Sequence, residues 1–304
     1  MLSPLRPGET VAIIAPGGIV LSERLEAGAQ LISDAGFVPF IHPQCRAQHG
    51  RFAGTDDERL SALHEVFANP DIRAVLCARG GYGCQRFVDR IDFDLLARNP
   101  KPFVGYSDIT ALLNPIAARC GFPAFHGPMV CEKKLEPANY AHLFRVLKGE
   151  RLQPSDHPAA GQSRVLKEGT AQGKLWGGTL ALLAADCGTP SQIRPEILFF
   201  EEAGEDLFRF DRMLWQLSRA GVFDQLRGVI VGELLKVENQ GEPAFGTDAD
   251  GILLSHFGAR GIPVVAGFPA GHAGANTVLP IGAELELAAD KGTVALHHAP
   301  LFSA

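Results

Sequence analysis

Apolar residues in this chain fall into short blocks that stop at glycine or proline, and between the blocks apolar positions recur every three or four residues. That pattern predicts strands alternating with helices. Residues 10–16 (TVAIIAP) predict a strand that runs into Gly17 and Gly18. Residues 22–35 follow as a helix with Ser22 as its N-cap, and 37–43 as a short strand. Residues 55–68 predict an amphipathic helix whose Thr55 and Glu58 have the spacing of a capping box. Residues 72–83 form an apolar strand ending in a glycine-rich turn, 84–98 a helix, 102–108 a strand ending at Ser107, and 109–121 a helix. This order predicts a parallel sheet covered on both faces.

Residues 149–171 interrupt the pattern, being rich in Pro, Ser, Gly and charge, and predict a linker or exposed hairpin. The expected division is an N-terminal domain over 1–150, a linker over 151–171 and a C-terminal domain over 172–304. In the second half, 174–188 predict a glycine turn into an apolar helix, and 197–202 (ILFFEE) a strand. A helix over 208–221 carries Phe210, Met213, Leu214 and Leu217 at helical spacing and stops at Gly221. Residues 227–234 predict a strand, 248–259 a helix, 262–272 a strand into a loop, and 284–298 a hairpin around Asp290, Lys291 and Gly292.

Composition narrows the function classes. The 304 residues are 46% hydrophobic and 20% charged, enough to bury substantial cores. A formal charge of −6 argues against nucleic-acid or membrane-surface binding, which need basic patches. The apolar run Val11 to Ala15 is too short for a signal segment, and no stretch approaches the roughly 18 apolar residues of a membrane helix, so a cytoplasmic location is expected. Cys45, Cys77, Cys84, Cys120, Cys131 and Cys187 are scattered without a C-x-x-C pair. They are expected to be small buried apolar groups, with no metal site and no cofactor implied.

Four strand ends carry candidate chemistry. Gly105-Tyr106-Ser107-Asp108 joins a buried strand directly to a helix, the context of a nucleophile elbow. The Asp108 N–H is a candidate oxyanion donor there, although Ser107 would equally serve as the N-cap of the following helix. Arg79-Gly80-Gly81-Tyr82-Gly83 lets a backbone approach a ligand closely. The Gly81 N–H is the candidate second oxyanion donor, Arg79 a candidate carboxylate clamp and Gly80 part of the substrate-binding turn. No Gly-Lys-Ser/Thr follows to make it a phosphate loop. Glu201 and Glu202 end an apolar strand, and alternation sends them to opposite faces, so only one is expected to point inward and Glu202 to be solvated. His272 sits among small residues in Gly267-Phe268-Pro269-Ala270-Gly271-His272, a setting the other histidines lack, with His126 the nearest competitor. A serine needs an adjacent base to be nucleophilic, and a carboxylate to orient that base.

Together with AIIAPGG (12–18), HGPM (126–129), WGGTLALL (176–183) and FRFDRML (208–214), these segments resemble the LD-carboxypeptidases of the S66 serine peptidase family over nearly the whole chain. The resemblance implies an N-terminal α/β domain like the class I glutamine amidotransferases, a smaller C-terminal α/β domain and a Ser-His-Glu triad on Ser107, His272 and Glu201, the last chosen over Glu202. It implies release of terminal D-alanine from a murein tetrapeptide in cell-wall recycling, and a homodimer. The family also includes microcin-immunity hydrolases that cleave peptidyl-nucleotides with the same triad, which is the alternative activity. A non-catalytic binding module on this fold would show no labelling of Ser107 by a serine-directed phosphonate. A glutamine amidotransferase is set aside because position 107 is Ser where that chemistry needs Cys.

Overall fold

The computed structural model describes residues 1–132, 136–291 and 293–303. Along the chain run β1 (Thr10–Ile14), α1 (Ser22–Asp34), β2 (Val38–Ile41), α2 (Asp56–Ala68), β3 (Ile72–Cys77), α3 (Phe93–Arg98), β4 (Phe103–Gly105), α4 (Thr110–Cys120), β5 (Ala124–His126) and α5 (Pro137–Leu147). Then come β6 (Arg164–Lys167), β7 (Gly169–Thr179), α6 (Leu180–Ala185), β8 (Ile197–Ala203), α7 (Leu207–Arg219), β9 (Gly228–Leu235), α8 (Ala249–Phe257), β10 (Val264–Ala266), β11 (Leu279–Ile281), β12 (Glu284–Asp290) and β13 (Thr293–His298). The chain divides into two α/β units, one of residues 1–152, 278–282 and 300–304, the other of 153–277 and 283–299.

The first unit holds a sheet in the order β11-β5-β4-β3-β1-β2. Its strands are parallel except β11, which pairs antiparallel with β5. The runs Val11–Ile14 and Ala74–Cys77 are buried along their whole length, as strands covered on both faces must be. The Thr55–Glu58 capping box forms: the Thr55 hydroxyl accepts from the Glu58 N–H and the Glu58 carboxylate from the Thr55 N–H. Gly121 stops α4 in the left-handed conformation.

The second unit holds a sheet in the order β13-β12-β7-β8-β9-β10-β6, parallel from β7 to β10 and antiparallel at both edges. Helices α6, α7 and α8 cover one face, where Phe200 of β8 meets Phe210 of α7 and Phe257 of α8 with ring centroids 6.3 and 6.4 Å apart. Truncating a buried ring such as Phe210 to Ala would cost about 3–5 kcal/mol.

Several expected elements differ. Ser22 lies inside α1, and Leu21 takes the cap position without a side-chain bond. The helix expected over 84–98 is two 3-10 turns, 84–86 and 88–90, followed by the short α3, because the Asp92 carboxylate accepts from the Leu95 N–H and starts a new helix. Residues 164–167 of the expected linker are β6, bonded along β10. The glycines of 173–178 lie within a strand, not a turn: a Cβ on Gly177 would stand 1.7 Å from the Phe199 carbonyl oxygen, so glycine there lets β7 approach β8. Residues 278–282 and 300–303, expected in the C-terminal domain, belong to the first unit: β11 completes its sheet edge, and Phe302 bridges to Leu2. The terminal hairpin is formed by β12 and β13, and Gly292 of its turn lies outside the described residues.

Candidate active site

In the first unit, the loops after β1, β3 and β4 leave the C-terminal ends of three neighbouring parallel strands, where α/β sheets place ligands. Tyr106 is extended, and Ser107, with φ at 60°, opens a 3-10 turn, Ser107–Ile109, that leads into α4. A non-glycine residue in the left-handed region costs about 1 kcal/mol or more and is kept where the surroundings impose it. Neither the 3-10 turn nor α4 has a side-chain cap, so the simple N-cap role for Ser107 is not what the structure shows. Gly105 makes the bend possible, since a Cβ there would lie 2.8 Å from the Ile109 side chain.

The glycine turn packs directly on this bend. A Cβ on Gly80 would stand 2.8 Å from the Ser107 Cβ and 3.0 Å from its Oγ. The Gly80 carbonyl accepts from the Gly18 N–H at 2.9 Å, and Gly81, with φ at 106°, faces Gly18. The Asp108 carboxylate is buried and accepts from the Cys84 N–H at 3.0 Å, tying the bend to the turn through its side chain. Arg79 is half-buried and donates to the Ile19 carbonyl at 3.1 Å. His126 is buried beside the Tyr106 ring in the sheet core.

One participant was not singled out from the sequence. Arg59 of α2 is fully buried, donates to the Pro16 carbonyl at 2.7 Å and the Gly83 carbonyl at 2.9 Å, and pairs with Asp56. It joins the loop after β1 to the end of the glycine turn. Its signal was available: Arg59 falls on the buried stripe of α2 with Ala62, Leu63, Val66 and Phe67, an unexpected place for a charge.

The thiols take no part. Burial pushes Cys45 and Cys131 up to about 12 and Cys120 up to about 11, and it raises Cys77 and Cys84 well above the ordinary thiol range. None is a thiolate near neutral pH.

In the second unit, the parallel strands β7, β8, β9 and β10 end side by side at one sheet edge. His272, in the loop after β10, places its Nδ1 2.6 Å from Oε2 of Glu201. The Glu201 carboxylate is fully buried, and its Oε1 accepts from the Thr179 hydroxyl at 2.5 Å. Thr179 stands opposite Glu201 across the β7–β8 ladder, a pairing that only the register reveals. An imidazole whose Nδ1–H donates to a carboxylate keeps its basic lone pair on Nε2. This pair is therefore equipped to take and return a proton.

Glu202 corrects an expectation. It does diverge from Glu201, but it is 4% exposed, not solvated. A register shift between β8 and β9 falls at this point, and α6 covers the second face. The Glu202 carboxylate accepts from the Ala181 N–H at 2.7 Å and the Ala203 N–H at 2.9 Å. Burial nonetheless pushes its carboxyl up to about 7.

Among the described residues no helix is long and apolar enough to cross a membrane, and no group of three or more His, Cys, Asp or Glu is placed to hold a metal ion.

Two family profiles match the chain: the LD-carboxypeptidase N-terminal domain over residues 11–127 and the LD-carboxypeptidase C-terminal domain over 172–287. The murein tetrapeptide carboxypeptidase of Pseudomonas aeruginosa is 32% identical over 288 residues, covering 90% of this chain and 91% of that protein. The crystal structure of muramoyltetrapeptide carboxypeptidase from Oxalobacter formigenes superposes with a TM-score of 0.83 at 29% identity, over 97% of this chain and all of that one. The microcin C7 self-immunity protein of Escherichia coli is 23% identical over 330 residues, covering 97% of this chain and 95% of that protein.

Proposed function

The chain belongs to the S66 family of LD-carboxypeptidases, and on that premise we propose that it is a serine hydrolase that releases the terminal D-alanine of a murein tetrapeptide. Ser107 is the nucleophile. Its Oγ attacks the carbonyl of the residue preceding D-alanine while Nε2 of His272 takes the hydroxyl proton. Glu201 holds the ring tautomer and stabilises the imidazolium. The imidazolium then protonates the leaving amine of D-alanine, and water, deprotonated by the same nitrogen, hydrolyses the acyl-serine and frees Ser107.

The N–H groups of Gly81 and Asp108 are assigned to the oxyanion, each supplying about 3 kcal/mol of barrier reduction. Arg79 and the Gly80 turn are assigned to the substrate's terminal carboxylate, which separates a carboxypeptidase from an endopeptidase. The proposal includes an N-terminal unit akin to class I glutamine amidotransferases, action in the cytoplasm on recycled peptide, and assembly as a homodimer.

The observation that carries this reading is the backbone of Ser107, a non-glycine residue held at φ 60° at the end of a parallel strand. Such strain persists where it presents a side chain for chemistry. The test is D-alanine release from murein tetrapeptide by the purified chain. Turnover that disappears in Ser107→Ala supports the reading. No turnover by the wild type, with hydrolysis of a peptidyl-nucleotide instead, would move the substrate to the immunity-type alternative.

A further inference from the structure

The geometry points to Glu233, at the end of β9, as the positioning residue that fixes the His272 loop, an inference that rests on the role proposed for His272. The loop after β10 has little regular structure of its own. It is anchored at its base by the Phe268 N–H on the Val231 carbonyl and the Thr277 N–H on the Pro269 carbonyl, at 3.0 and 2.8 Å. Its tip is held differently. The Glu233 carboxylate accepts from the backbone N–H of Ala273, and the amides of Gly274 and Ala275, next along the loop from His272, favour its charged form. Successive amides turned to one anion form a nest, usually seen around a bound phosphate or carboxylate ligand. Here the chain supplies the anion itself.

Two further contacts make the arrangement specific. The Glu233 N–H donates to the Ala270 carbonyl at 3.0 Å, so the backbone of β9 also meets the loop just before the histidine. Between the two contacts lies Gly271, with φ at 147°, where a Cβ would come 3.1 Å from Oε2 of Glu201 and 3.1 Å from the Cβ of Glu233. Glu201 therefore holds the ring of His272, and Glu233 holds the backbone that carries it. Burial raises the Glu233 carboxyl, the three amides oppose that shift, and the charge of Glu201 adds to it. A half-buried glutamate beside the fully buried Glu201 is costly unless its amide partners are in place. That makes the loop conformation and the ionised carboxylate depend on each other.

The test uses the full chain and three readouts. Hydrogen exchange on the wild type should show the amides of Ala273, Gly274 and Ala275 protected although Ala273 is exposed; free exchange at all three would overturn the proposal before any variant is made. In Glu233→Gln, that protection should fall, and the His272 Nδ1 proton resonance, assigned by its loss in His272→Gln, should shift upfield or broaden. An unchanged resonance with unchanged protection would overturn it. In activity, Glu233→Gln should lower kcat about 10- to 100-fold with KM within about twofold, because misplacing a base acts on the chemical step. In a His272→Ala background the same change should cost nothing more, and an equal loss there would show that Glu233 acts elsewhere. If the wild type releases no D-alanine, the proposed function fails, while the exchange and resonance data still decide the role of Glu233.

Discussion

Thr179 donates its hydroxyl to Oε1 of Glu201 at 2.5 Å from the position directly across the β7–β8 ladder, leaving Oε2 for His272. The carboxylate is thus held at both oxygens and is itself fully buried. Thr179→Val keeps the shape and removes the donor, which leaves a buried charged acceptor short of one bond at about 1–3 kcal/mol. We expect kcat for D-alanine release to fall about tenfold in Thr179→Val and to stay near wild type in Thr179→Ser. Equal rates for the valine and threonine forms would show that the hydroxyl orients nothing.

Gly80 leaves no space for a side chain against Ser107. A methyl there must push the Ser107 Cβ from 2.8 Å, and that atom is fixed directly to backbone already held at an unusual φ. Gly80→Ala should lower kcat by about 100-fold, since small misplacements of a nucleophile are expensive, and lower stability by about 1–3 kcal/mol through overpacking. Steady-state kinetics and urea unfolding would measure both. Wild-type kcat in the alanine variant would mean that the turn yields without moving the serine.

Ser107 offers a test in which stability and activity part company. Ser107→Ala should abolish turnover, by about four orders of magnitude or more, with the fold intact. Ser107→Gly should be equally inactive but more stable than Ser107→Ala by about 1 kcal/mol, because glycine adopts φ near +60° without strain. Matching unfolding midpoints for the two variants would contradict the strain assigned to the bend.

Glu202 should leave a signature in the pH dependence of stability. Its carboxyl lies at about 7 folded, chiefly through burial, against a reference of 4.5. Between those values the folded chain keeps a proton that the unfolded chain gives up. The contribution is therefore fully present below about 4.5 and lost as pH rises through about 7. Glu202→Gln removes the titration. Relative to wild type, the variant should gain about 3 kcal/mol between pH 4 and pH 8. Urea unfolding at the two pH values checks this, and parallel pH profiles would rule it out.

Much of the fold was legible because it is written locally. The apolar runs 10–16, 72–83 and 102–108 became β1, β3 and β4, and the Thr55–Glu58 spacing became a working capping box. Periodicity misled where glycine was taken as punctuation: Gly177 and Gly178 lie in β7, and at Gly177 the β8 backbone comes too close for a side chain. The 84–98 segment broke up because Asp92 caps a second helix start inside it.

By itself the sequence determined the strand ends that carry Ser107, Glu201 and His272, since each lies where an apolar run meets a turn and such boundaries depend on neighbours in the chain. Tertiary structure alone decided what surrounds them. The burial of Glu202 under α6, the Thr179 bond to Glu201, the Arg59 clamp between two loops and the Glu233 grip on the His272 loop join residues between 21 and 43 positions apart. The return of 279–281 to the first sheet spans more than a hundred. No local period encodes such distances, because the strength of each contact depends on the water excluded by elements that the chain brings together only on folding.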